Sequence, residues 1–161
     1  MHFVIILALF ISLLYISYED LCFRKLDIRA GVILFIICII NNNLSGGFWI
    51  DLFYNMMFLF VLLVMLYFYF TVRDKSFKMP LKERLGIGDI VFFIAVTPLF
   101  YLKDFMLFFI TGMLMSILQH LVFQRFMRTK TIPLAGFLAN YLLLILIIHY
   151  IFDFNCLKII S

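Results

Sequence analysis

Charge is what this sequence has least of. Acidic and basic residues fill only 14% of its 161 positions, whereas 66% are apolar, and the mean hydropathy is +1.17. A soluble domain of this length needs far more polar surface, which excludes water as the main solvent and leaves lipid. The apolar runs also lack two-residue alternation, which excludes a transmembrane barrel. In lipid the backbone must then satisfy its own hydrogen bonds in helices. The expected fold is therefore all-α, a polytopic membrane protein. At ~20 residues per span, the chain holds about six transmembrane helices and no separate soluble domain. It reads as a single domain over residues 1–161.

Other absences narrow the reading further. The N-terminal apolar run has no preceding Lys or Arg and no small-x-small cleavage site after it, so it reads as a retained first helix rather than a secretory leader. The three cysteines, Cys22, Cys38 and Cys156, form no CxxC pair. A zinc site or a disulfide framework is unsupported, and they read as apolar helix residues. There is no internal repeat, low-complexity tract or domain linker. The formal charge of +4 comes from basic residues in short inter-helix segments. Topology explains that placement, and no nucleic-acid partner is expected.

What is present is a succession of apolar runs. Helices are expected over about His2–Tyr18, Ala30–Ile40, Phe48–Val72, Asp89–Leu102, Phe105–Phe126 and Pro133–Phe152. Pro98 should kink the fourth. Asn41–Gly47 reads as a turn-rich loop, because its Asn, Ser and Gly residues tolerate left-handed backbone. Segments 19–29, 73–85 and 125–132 hold eleven of the thirteen Lys and Arg residues, and only Lys103 and Lys158 lie elsewhere. By the positive-inside rule those three segments are cytoplasmic and both termini are outside.

Two carboxylates stand out by position. Asp20 sits where the first helix meets the cytoplasm, and Asp89 sits where the fourth leaves it, within Gly86-Ile87-Gly88-Asp89. Ionisable groups at such depth are costly and usually functional. Two carboxyls brought together share a proton, so one can take a proton from water while the other protonates a peptide carbonyl. This is aspartyl-protease chemistry and needs no metal or cofactor. Gly86 and Gly88 lack a Cβ and would let an extended substrate backbone approach. Asp89, at a helix N-terminus, is expected to be the more readily ionised acid; Asp20, near a helix C-terminus, is expected to hold the proton. The plainer alternative makes Asp89 a helix N-cap and Asp20 a loop charge. Gln119 and His120 share one helix, while His2 and His149 lie on others, so an interhelical hydrogen bond is expected of His120 rather than a metal site.

The pattern resembles the type IV prepilin and preflagellin peptidases, which are GxGD intramembrane aspartyl peptidases. Asp20-Leu21-Cys22-Phe23-Arg24-Lys25-Leu26-Asp27-Ile28 is similar to the family's first motif. Gly86-Ile87-Gly88-Asp89 matches its second, and Ile132-Pro133-Leu134-Ala135-Gly136-Phe137-Leu138-Ala139 is similar to a later Ile-Pro helix start. The sequence departs from the family at Asp27, where a proline is common, and after Asp89, where Ile90-Val91-Phe92-Phe93 holds no lysine. These departures suggest a divergent branch. The extra N-terminal region with paired cysteines that larger bacterial members use for methylation has no counterpart, so no methyltransferase activity is expected. Presenilin-like enzymes share GxGD but are larger.

The resemblance implies catalytic roles for Asp20 and Asp89. It implies a prepilin-like precursor as the partner and cleavage at the cytoplasmic face of the inner (cytoplasmic) membrane. Glu19, Asp27 and Glu83 could attract a basic leader, or could equally serve loop solvation and pairing with Arg24, Lys25 or Lys82. The rival function is a non-catalytic membrane scaffold or transporter subunit. A transporter would more typically place its polar groups near mid-membrane, on broken helices.

Overall fold

In the computed structural model, residues 2–24, 26–46, 49–74, 86–123 and 133–152 are described. Glu83, Cys156, Ile132 and the basic residues of segments 75–85 and 124–132 lie outside them. The described residues form six α-helices: α1 (His2–Phe23), α2 (Ile28–Leu44), α3 (Trp49–Asp74), α4 (Ile87–Val96), α5 (Leu102–Phe123) and α6 (Leu134–Phe152). A 3₁₀ turn at Thr97–Leu99 follows α4.

Three helices are long and apolar enough to cross a membrane: Phe3–Phe23, Trp49–Arg73 and Leu102–Phe123. At 22 residues, α5 is ~33 Å long, enough for a ~30 Å hydrocarbon layer. The stretches Ile28–Leu44, Ile87–Leu99 and Leu134–His149 are apolar but shorter, so the expected six full spans reduce to three that length alone supports. The outward surface is apolar as well. Val72 is 75% exposed, Met65 70% and Val122 68%. Such a continuous exposed apolar surface suits lipid rather than water.

Packing centres on α1 and α6, which share the most extensive contact. Leu13 and Ile16 of α1, Leu34 of α2, Phe92 and Val96 of α4, Phe105 of α5, and Leu138 and Leu142 of α6 make a fully enclosed core. Next, α2 lies against both α1 and α4. Gly31 is what brings α4 so near, because a Cβ there would collide with Val91. Without a hydrophobic force between helices in lipid, close approach at small residues supplies much of the association.

Several helix boundaries differ from the sequence reading. Continuing past Tyr18 to Phe23, α1 puts Asp20 in a helical turn rather than a loop. It ends at Arg24, which takes a left-handed φ of 55°. Starting at Ile28, α2 has Asp27 as its N-cap and runs through the Asn41–Asn43 stretch to Leu44. The left-handed residue expected there comes only at Gly46, with φ 67°. Asn41 and Asn42 are polar but buried. They stay helical because the inside of the protein, not water, surrounds them.

Pro98 does more than kink the fourth helix. The α-helix stops at Val96, and the 3₁₀ turn carries the proline. The interrupted ladder leaves carbonyls that need donors. Asn55 of α3 supplies them: its Nδ2 donates to the Thr97 and Phe100 carbonyls at 2.9 Å each. Asn55 is completely buried. Outside this clamp α3 is mostly exposed, and Asn55 is a buried polar tie to the bundle. Replacing Asn55 with leucine should leave two buried carbonyls unpaired and cost about 1–3 kcal/mol. A thermal melt in detergent should register this as a clear fall in midpoint, whereas Asn43→Leu, at an exposed site, should change little.

Candidate active site

Asp20 occupies the last turn of α1 and is only 7% exposed. Its Oδ2 accepts the backbone N–H of Gly136 at 2.6 Å. One turn earlier, the Ser17 hydroxyl donates to Asn140 Oδ1 at 2.8 Å, so two polar contacts one turn apart lock α1 against α6. The approach is close because residue 136 is glycine. A Cβ there would lie 3.2 Å from both Asp20 Cβ and Oδ2.

Asp89 stands in the first turn of α4 and is half-buried. It is not the N-cap. That position belongs to Gly86, which makes no side-chain cap bond. From the third helical position an acid can reach back toward the cap, and Asp89 Oδ2 does lie over Gly86, where an added Cβ would come within 2.9 Å. Its Oδ1 instead accepts the N–H of Ala135, 46 residues further along the chain, at 2.9 Å.

The two acids therefore converge on consecutive amides of one helix start. The first-turn N–H groups of a helix have no partner within it. In α6 Pro133 precedes the first turn, and its carbonyl accepts from Phe137 N at 3.1 Å. Of the orphan donors that follow, Ala135 N goes to Asp89 and Gly136 N to Asp20. Consecutive backbone nitrogens lie under ~3.8 Å apart, so the two bound oxygens are within about 9 Å of each other. One or two waters could bridge that gap. Both carboxyls also face the positive end of the α6 dipole, so the C-terminal field of α1 is not the only one acting on Asp20.

The other acids named from the sequence have different work. Asp27 Oδ1 accepts from Arg29 N at 3.0 Å, capping α2. The Asp27 N–H donates to Glu19 Oε2 at 3.2 Å, and the Tyr15 hydroxyl reaches Glu19 Oε1 at 3.4 Å. These contacts fasten the α1–α2 connection. Gly88 packs on that connection too, since a Cβ there would meet Leu26 Cβ at 2.7 Å. The need for glycine at 88 thus comes from Leu26, and at 86 from the Asp89 carboxyl.

His120 Nδ1 is buried without a hydrogen-bond partner, so the bond expected of it is not made at that atom. Among the described residues no three His, Cys, Asp or Glu side chains cluster in a way that could hold a metal. Cys22 and Cys38 are unpaired thiols on α1 and α2. The sequence reading passed over Ser17, Asn140 and Asn55. Only the Ile132–Ala139 stretch carried a signal that α6 begins at a special place.

Gly136→Val should displace the Asp20 carboxyl and destabilise the fold by about 1–3 kcal/mol. Because the clash is largely with Asp20, the Asp20→Ala/Gly136→Val double variant should cost less than the sum of the singles. A double-mutant cycle on thermal stability measures that coupling.

No protein-family model matches the chain, and no curated protein or solved structure matches it significantly. The site is identified by its own geometry, two carboxyls from distant parts of the sequence held on adjacent amides of α6.

Proposed function

We propose that this chain is a membrane-embedded aspartyl endopeptidase, with Asp20 and Asp89 as its catalytic pair. One observation carries the reading: both acids are held by the first turn of α6, within reach of shared waters. A helix start needs donors satisfied, but two like charges side by side in a low-dielectric setting are an expensive way to do it. Such arrangements concentrate at functional sites.

In the proposed reaction one carboxyl holds a proton and the other is ionised. The ionised acid takes a proton from a bridging water as its oxygen attacks the scissile carbonyl carbon. The neutral acid gives its proton to the carbonyl oxygen. Collapse of the resulting gem-diol moves a proton to the leaving nitrogen and breaks the C–N bond. The Ala135 and Gly136 amides hold both carboxyls in place throughout, which is the preorganisation such a step needs. Exposed Gly86 leaves open backbone beside Asp89, where an extended substrate strand would lie.

The similarity to prepilin peptidases extends the proposal to the substrate: a prepilin-like precursor with a short basic leader, cut at the cytoplasmic face of the inner membrane. The shorter helices α2, α4 and α6 complete six spans in this reading. All three begin on the side of the Asp pair, which sinks the site slightly below the membrane surface. Both termini are outside. Cysteine labelling should find residues in segment 75–85 reachable only from the cytoplasm; an outside location would separate the proposed orientation from the charge pattern.

Co-expression with candidate precursors, reading leader removal, tests the chemistry. Asp20→Asn and Asp89→Asn should each abolish cleavage, a loss of about a thousandfold or more, while the protein stays inserted and folded. Asp27→Asn should retain activity, because asparagine caps a helix about as well. Wild-type processing by the double Asn variant would point instead to a non-catalytic scaffold.

A further inference from the structure

A groove of about 520 Å³ runs between α1 and α2, on the face of α1 turned away from the Asp pair. Ile11, Ile33 and Ile37 line it, with Ala30 among its buried residues. Its surface is almost wholly apolar except at one end, where Tyr15, Asp27 and Arg29 stand. That end is where α1 finishes and α2 begins, so it coincides with a boundary of the apolar bundle.

Size limits what can fill the groove. From Arg29 to Ile37 the helix rises ~12 Å, most of the ~15 Å thickness of one hydrocarbon leaflet. An acyl chain is slim enough, and in a bilayer it is the apolar body at hand.

Charge limits the headgroup. The amides at the start of α2 are occupied: Arg29 N donates to Asp27 Oδ1, and Ala30 N and Gly31 N to the Asp27 carbonyl. An anion therefore has the exposed Arg29 guanidinium as its partner, not the helix start. Capping uses one Asp27 oxygen; among the described residues the second has no hydrogen-bond partner, so it can accept from a cation that donates hydrogen bonds. A phosphate and a primary ammonium a few ångströms apart match this pair of opposite charges.

We propose that the α1–α2 groove seats one acyl chain of a phosphatidylethanolamine, with its phosphate on Arg29 and its ammonium on Asp27. Phosphatidylglycerol offers no cation to Asp27. Phosphatidylcholine offers a cation without N–H donors. The seat depends on the chain lying in a bilayer, not on the peptidase reading.

The full chain can be incubated with vesicles holding equal amounts of the three lipids, re-extracted in mild detergent, and its retained lipid counted by native mass spectrometry. Phosphatidylethanolamine should be retained about fivefold or more over each of the others, the selectivity expected of charge-assisted hydrogen bonds. Arg29→Gln, at an exposed position, should lower its retention about fivefold. Ile33→Trp, which fills the groove from a site 55% exposed, should abolish retention of all three lipids without lowering the melting temperature. Equal retention of the three lipids by the wild type, or undiminished phosphatidylethanolamine retention by Arg29→Gln, would overturn the proposal.

Discussion

Everything at the centre of this bundle depends on how the first turn of α6 satisfies its backbone. A helix that starts among apolar neighbours has N–H groups that water cannot reach, and leaving them unpaired costs several kcal/mol each. Pro133 supplies no donor, and the following amides find acceptors on α1 and α4 rather than in their own segment. That requirement draws Asp20 and Asp89 to one point. It also suits glycine at 136, since a Cβ there would press on the Asp20 carboxyl at 3.2 Å. The Ser17–Asn140 bond one turn deeper fixes the rotation of α1 that aims Asp20 correctly.

The remaining helices support that point from further out. Through Gly31, α4 rests on α2, and through Gly88 it rests on Leu26, so the helix bearing Asp89 is positioned by close backbone packing. Its far end is broken by Pro98 and repaired by Asn55. Polar groups inside this apolar protein thus recur at helix ends, where backbone pairing runs out. Asp20, Asp89 and Asn55 all meet orphan backbone groups, but only the two acids can also exchange protons.

Much of this was legible in the sequence, for identifiable reasons. Scarcity of charge and the absence of alternation gave the all-helical, lipid-facing class. GxGD and Asp20 were conspicuous because carboxylates are rare in so apolar a chain. What the sequence did not reveal was how the acids are held. The 46-residue separation of Asp89 from Ala135 and the 116-residue separation of Asp20 from Gly136 are tertiary facts with no local signature. Helix ends were misread where polarity was taken for exposure. Asp20 looks like a loop residue, and Asn41 and Asn42 look like part of a turn, but all three continue helices with their side chains buried in the protein. Asn55 was invisible for the same reason, as a single amide in a long apolar run.

The central claim is that Asp20 and Asp89 act together on a peptide bond. Its most direct measurement is the binding of a precursor-like peptide in which a tetrahedral hydroxyl carbon replaces the scissile carbonyl, compared with a matched uncleavable peptide lacking that hydroxyl. A carboxyl pair built for the transition state should bind the hydroxyl peptide at least ~100-fold more tightly, and Asp20→Asn or Asp89→Asn should each erase the difference. Equal affinity for the two peptides in the wild-type protein, or a preference that survives both substitutions, would contradict the account.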